Sequence, residues 1–271
     1  RLSRLTPANV KRIDLSSTCS RDSWQRGLGQ QVFSFAFYGE PNSTTHQKRG
    51  YFEGVRKNLE AISTFYNRSW SVRLYHDIGP DDPLMVDLCQ LACSNTRLDL
   101  CPVNQLPHHL LANAVHMFPM LWRFFPTLDS QVDIFVSRDL DSIVKLRDVE
   151  AVEEWLQSGK SLHVMRDNTH HKHDMLGGLW GARFTRSMKV WKELVLWDWE
   201  NIWTAIIADP LSWSKRGNKG PDQTLLSRHV WGRLSGGVLQ HDSFSCAQYP
   251  GAVGCPSQAG PGGWHGQALT P

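Results

Sequence analysis

Two carboxylates two residues apart, Asp139 and Asp141, follow directly on the apolar run Val132-Asp133-Ile134-Phe135-Val136-Ser137. Residues i and i+2 of an extended backbone point the same way, so both carboxylates are able to face one ligand. Facing carboxylates repel unless a cation lies between them, and hard oxygen donors select Mg²⁺ or Mn²⁺. Such a cation bridges a diphosphate and acts as a Lewis acid for its departure. Aspartate is also common in turns and helix caps. What raises the metal reading is position, because ligands of open parallel sheets bind beyond the carboxyl ends of strands.

Other residues of the right chemistry lie further along the chain. Arg123 sits among Trp122, Phe124 and Phe125, where an unpaired charge is costly, so a phosphate or carboxylate partner is expected. Asp222 follows Pro221 at the start of a helical stretch; capping alone accounts for it, but not for the neighbouring Gln223. The run Asn168, His170, His171, His173, Asp174 follows a strand end at Met165-Arg166-Asp167. Its spacing suits zinc poorly and reads as solvated loop histidines; if functional, the loop serves an acceptor, with Asp167 or Asp174 touching a hydroxyl. Trp180, inside the glycine-rich Leu176-Gly177-Gly178-Leu179-Trp180-Gly181, is the tryptophan placed to stack on a sugar.

The elements that must position these groups alternate. Gln31 to Tyr38, Trp70 to His76, Arg97 to Val103, Val132 to Ser137 and Ser161 to Met165 read as strands. Between them, Tyr51 to Asn67 places Phe52, Val55, Leu59, Ile62 and Tyr66 on one helical face. Pro83 to Cys93, His116 to Leu128 and Val149 to Gln157 also read as helices. This order implies parallel pairing through right-handed crossovers. Later come a Trp-rich helix from Ser187 to Trp203, in which Trp191, Trp197, Trp199 and Trp203 read mostly as core, a polar loop from Ile207 to Gly220, and a helix from Asp222 to Arg233. The expectation is one α/β domain over residues 1–271 with a mostly parallel central sheet, residues 1–30 forming an N-terminal extension and 250–271 a Gly/Pro-rich tail.

A chain of 271 residues with 41% hydrophobic and 20% charged residues excludes disorder as a whole-chain description. A net charge of +3, spread without a basic stripe, does not argue for nucleic acid. No apolar run reaches the roughly 18 residues that span a bilayer, so membrane attachment is expected only through an anchor absent from this chain. Six cysteines, Cys19, Cys89, Cys93, Cys101, Cys246 and Cys255, and the sequons Asn42-Ser43-Thr44 and Asn67-Arg68-Ser69 point to the secretory pathway, with the Golgi lumen or secretion as the expectation.

The segment Phe135-Val136-Ser137-Arg138-Asp139-Leu140-Asp141-Ser142 resembles the DxD motif of metal-dependent, nucleotide-sugar-using glycosyltransferases of the GT-A (Rossmann-like) fold, particularly the retaining groups related to families 8 and 32. The resemblance implies a UDP-sugar donor, Mn²⁺ or Mg²⁺, and a hydroxyl acceptor on a glycan or glycoprotein, with retention. It places Phe37 and Tyr38 near the base, and Arg123, Arg138, Asp139, Gly177 and Gly178 on the donor. Asp167, Asp174 and Trp180 fall to the acceptor, and Asp222 and Gln223 lie near the reacting carbon. Asp139, Asp141 and His241 are then the metal ligands. If transfer inverts, Asp222 or Asp174 is the available base. Two other readings compete. Asp139-Leu140-Asp141-Ser142-Ile143 also resembles the nucleophile loop of haloacid-dehalogenase phosphohydrolases, which follows a first strand, and the chain could be a non-catalytic carbohydrate-binding relative.

Overall fold

A computed structural model describes residues 17–39, 45–66, 69–184, 189–242, 244–245, 247–249 and 251–254. Both sequon asparagines, Cys246, Cys255 and the side chains of Trp191 and Trp197 lie outside the described residues.

The chain alternates as its apolar periodicity demands. Short helix α1 (Arg21–Gln25) leads to β1 (Gln30–Phe37), α2 (Thr45–Phe65), β2 (Trp70–His76), α3 (Pro83–Ser94) and β3 (Leu98–Pro102). A 3₁₀ helix, Pro119–Leu128, then precedes β4 (Val132–Arg138), α4 (Leu146–Ser158), β5 (Leu162–Arg166) and β6 (Leu179–Arg183). The last third holds α5 (Lys189–Ala208), α6 (Pro221–Leu225), a π-helical segment Leu226–Trp231, α7 (Gly232–Leu234) and β7 (Val238–Asp242). The stretch expected to be one helix over His116 to Leu128 is therefore 3₁₀ from Pro119, with Pro126 inside it. Proline lacks the donor that an α-helical turn needs there.

Among the described residues the strands form one seven-stranded sheet of order β3-β2-β1-β4-β6-β5-β7. Strands β1 to β4 are mutually parallel, and β7 is parallel to β5. Only β6 runs against its neighbours, which makes the sheet mixed but mostly parallel, as expected for a single α/β domain. The chain moves outward from β1 to β3 and returns to β4 on the other side of β1. The order reverses between β1 and β4, and such a reversal opens a crevice at the carboxyl ends of the strands.

The two faces are packed differently. On one, Trp122, Phe125, Phe135, Trp180 and Trp203 form a tryptophan-rich core; on the other, α2 and α4 cover Phe33, Phe35, Leu74 and Val136. Residues 17–30, expected as part of an extension, are tied into the first face. Cys19 is joined to Cys101 of β3 by a disulfide, and the Ser17 hydroxyl and Thr18 amide donate to buried Asp129, both at 2.8 Å.

Candidate active site

Beyond the carboxyl ends of β1 and β4, at the reversal of strand order, lies a cavity of about 580 Å³. Phe37 and Tyr38 line it from the end of β1, and Asp139 and Asp141 from the turn after β4. Gly177 and Gly178 contribute from the segment before β6, and Asp222 and Gln223 from the start of α6. The end of β1, the turn after β4, the glycine segment and the start of α6 thus each deliver at least one group to one place.

Arg123, on the 3₁₀ helix, joins the two acidic elements. One guanidinium nitrogen pairs with Asp139, and Nη2 donates to Asp222 Oδ2 at 2.8 Å, linking positions 99 apart in sequence. Burial opposes the charge on Arg123, but the two carboxylates outweigh it, and its pKa is raised. The partners expected for this buried cation are therefore carboxylates. The other oxygen of Asp222, Oδ1, is buried with no hydrogen-bond partner among the described residues, so a polar ligand group in the cavity would have an acceptor waiting.

The glycines are small because this pair crowds them. A Cβ built on Gly177 would overlap the Asp222 carboxylate and the Arg123 guanidinium, and one on Gly178 would overlap the Asp139 carboxylate. The turn that carries Asp139 and Asp141 is pinned by a residue with no sequence signal, Asn58 of α2. Its amide donates to the carbonyls of Gly54 and Leu140 and accepts from the Val144 amide at 3.0 Å. Tyr51, Met120, Lys219 and three loop histidines, His170, His171 and His173, complete the wall. Lys219 sits in the polar loop that ends at Gly220, where nothing in the sequence singled it out.

Four expected site residues stand elsewhere or are already engaged. Trp180 is fully buried on the core face, against Phe124, Phe135 and Trp199, with no surface to offer a sugar. Arg138 turns beneath the sheet, where it donates to the carbonyls of Ser137 and Gly178 and approaches Asp148 of α4 at 3.7 Å. Asp174 accepts from the Tyr249 hydroxyl at 2.7 Å. His241, on β7, lies three strands from β4 in the sheet order, about 14 Å at the usual strand spacing. Its Nδ1 meets His163 Nε2 at 2.9 Å and its Nε2 meets Glu154 at 3.1 Å. Burial lowers the pKa of both histidines, so they stand neutral and pair with each other. His241 is thus not brought to Asp139 and Asp141. Asp167 reaches the cavity only through His171, as described below.

Among the described residues no group of three or more His, Cys, Asp or Glu side chains could enclose a metal ion. What remains is Asp139, one oxygen of which is held by Arg123, and Asp141, both presenting hard-oxygen donors to the cavity. This set fits Mg²⁺ or Mn²⁺, which bind through one or two carboxylates plus substrate phosphates and water without needing a protein cage.

No family model and no curated protein matches the sequence. Solved structures that it resembles include the apo-form glycosyltransferase GlyE of Streptococcus pneumoniae TIGR4, at 14% identity and a TM-score of 0.44 over 76% of this chain and 44% of that one. Another is residues 1–349 of TarS from S. aureus, at 9% identity and a TM-score of 0.39 over 73% of this chain and 54% of that one. The chain spans about half the length of these structures. Likeness at this level does not decide family or activity.

Proposed function

We propose that the protein is a metal-dependent glycosyltransferase that moves a hexose from a UDP-sugar to a hydroxyl acceptor. The observation that carries this reading is the convergence of Asp139, Asp141, Arg123 and Asp222 on one cavity at the point where strand order reverses. Asp139 and Asp141 would hold Mn²⁺ or Mg²⁺, which when bound neutralises the diphosphate as charge develops on it.

The chain's own groups do the remaining work. Tyr38, set edge-on to Trp122 with ring centroids 5.9 Å apart, and Phe37 form the wall at the end of β1 where a base would rest. Arg123 fixes Asp139 and Asp222 relative to each other, so that donor binding finds both carboxylates in place. Asp222 Oδ1 accepts from a sugar hydroxyl, and Gln223 beside it supplies an amide to the same ring. The absence of side chains at Gly177 and Gly178 lets the Asp222, Arg123 and Asp139 side chains pack against the backbone in the positions the donor would meet. Lys219 at the rim adds a positive charge for the phosphates.

A direct test is incubation with UDP-glucose, UDP-galactose and UDP-N-acetylglucosamine in the presence of Mn²⁺, with released UDP as the readout. The reading expects release that Asp141→Asn abolishes. Unchanged turnover in that variant sinks the metal assignment.

A further inference from the structure

The three cavity histidines are not equivalent. His170 Nδ1 lies 3.0 Å from the Asn168 side chain within a local turn, and among the described residues no carboxylate holds the ring of His173. His171 Nδ1 lies 2.8 Å from Asp167 Oδ1, while the other oxygen of Asp167 is paired with Arg147 of α4. The Asp167 amide also approaches His171 Nδ1, at 3.3 Å. The shorter, charge-assisted contact decides the tautomer: Nδ1 keeps the proton and donates a hydrogen bond to the carboxylate. Nε2 is then the lone-pair nitrogen, and it has no partner among the described residues.

The support behind this pair is rigid. Asp167 directly follows β5, whose last residue, Arg166, donates to the carbonyls of His173 at 3.0 Å and Asp174 at 2.5 Å. Both ends of the histidine loop are therefore fixed to one buried guanidinium. Burial works to raise the pKa of Asp167, but the His171 hydrogen bond and the Arg147 charge prevail and hold it at about 2, so the carboxylate is ionised.

A cavity-facing imidazole backed by an ionised, anchored carboxylate is the arrangement that accepts a proton well. Of the carboxylates that sequence alone offered for this task, Asp174 is engaged by Tyr249, and Asp222 is paired with Arg123 through Oδ2, which leaves its Oδ1 for the sugar hydroxyl assigned to it above. We infer that His171 is the general base that takes the proton of the acceptor hydroxyl, with Asp167 as its positioning residue. This rests on the nucleotide-sugar reading above. The acceptor oxygen forms a bond to the anomeric carbon as the bond from that carbon to phosphate oxygen breaks. The diphosphate leaves with the bonding pair, and the hydroxyl proton passes to His171 Nε2 and then to solvent. A base poised for a single direct displacement implies inversion at the anomeric centre.

The charged and titratable groups that hold His171 or share its cavity are Asp167 after β5, Arg147 on α4, Asp139 and Asp141 after β4, Arg123 on the 3₁₀ helix, Asp222 on α6, Lys219 before it, Tyr38 after β1, Tyr51 on α2, and its loop neighbours His170 and His173.

The test uses the full chain with Mn²⁺, UDP-glucose, UDP-galactose and UDP-N-acetylglucosamine as donors, and water as the acceptor. His171→Gln is expected to lower kcat by about 10²–10⁴-fold, abolish the acid limb of the kcat profile, and leave the Kd for UDP within twofold. Asp167→Asn is expected to lower kcat less and to displace that limb, without changing UDP affinity. The first sugar released from an α-linked donor is expected to be the β anomer by NMR. Wild-type kcat or a retained acid limb in His171→Gln, or release of the α anomer, overturns the role of His171 while UDP release by the wild type still stands. A wild-type chain that neither binds UDP nor releases it overturns the nucleotide-sugar reading and this role together.

Discussion

Replacing Arg123 by leucine removes the one cation that, among the described residues, the two acidic elements share. The two pairs it makes differ in burial: the Asp139 side chain is 38% exposed, whereas that of Asp222 is 2% exposed. Solvent screens the first pair, which contributes about 0–1 kcal/mol. The loss falls on Asp222, left as a buried charge without its partner at a cost of about 3–5 kcal/mol. At roughly 2–4 °C per kcal/mol for a chain near this size, Tm should fall by about 6–20 °C. Adding Asp222→Asn removes the stranded charge, so the double variant should recover most of the loss, a coupling that a double-mutant cycle by calorimetry measures. A Tm within 2 °C of wild type for Arg123→Leu, well short of the smallest expected fall of about 6 °C, would refute the argument. So would an Asp222→Asn change that adds its own loss to that of Arg123→Leu.

Trp180→Ala should cost about 3–5 kcal/mol of stability as a core cavity while leaving UDP affinity unchanged; an unaltered Tm with lost binding would return Trp180 to the site. Buried Asp129 is pushed up by burial but held below its ordinary pKa by Arg73, at 2.7 Å, the amides of Gln131 and Thr18, and the Ser17 hydroxyl. A depressed folded pKa stabilises above the unfolded value and loses that contribution as pH falls. Asp129→Asn should therefore destabilise strongly at pH 7, with the gap to wild type closing below about pH 4. Reduction of Cys19–Cys101, 82 residues apart, should lower stability by about 4–5 kcal/mol on the chain-entropy estimate, read as Tm with and without reductant.

How much of this was legible depended on whether the information was local. The strands of the first half and the helices between them follow from residue periodicity, and the Asp139/Asp141 pair could be placed because a parallel strand must end where its ligand sits. The Asp222-Gln223 pair could be placed at the opening of a helix after Pro221, but its role came only from the resemblance, since capping alone accounts for Asp222. What escaped was set by partners distant in sequence. Nothing near Arg123 names Asp222, nothing near Asn58 tells that it clamps the turn after β4, and the six cysteines did not say which two would meet. His241 and Trp180 failed for one shared reason. Their local context was right for a ligand and a sugar platform, but strand order put the first three strands away and the reversed strand β6 turned the second into the core. The antiparallel course of β6 had no signature, since a five-residue apolar strand reads alike in either direction.

The central claim is that Asp139 and Asp141 present a divalent cation to a nucleoside diphosphate, and calorimetric titration of UDP with and without Mn²⁺ tests it most directly. The account predicts binding that requires Mn²⁺ and weakens at least tenfold, about 1.4 kcal/mol, in Asp141→Asn. UDP that fails to bind, or that binds equally without Mn²⁺ and to Asp141→Asn, would contradict it.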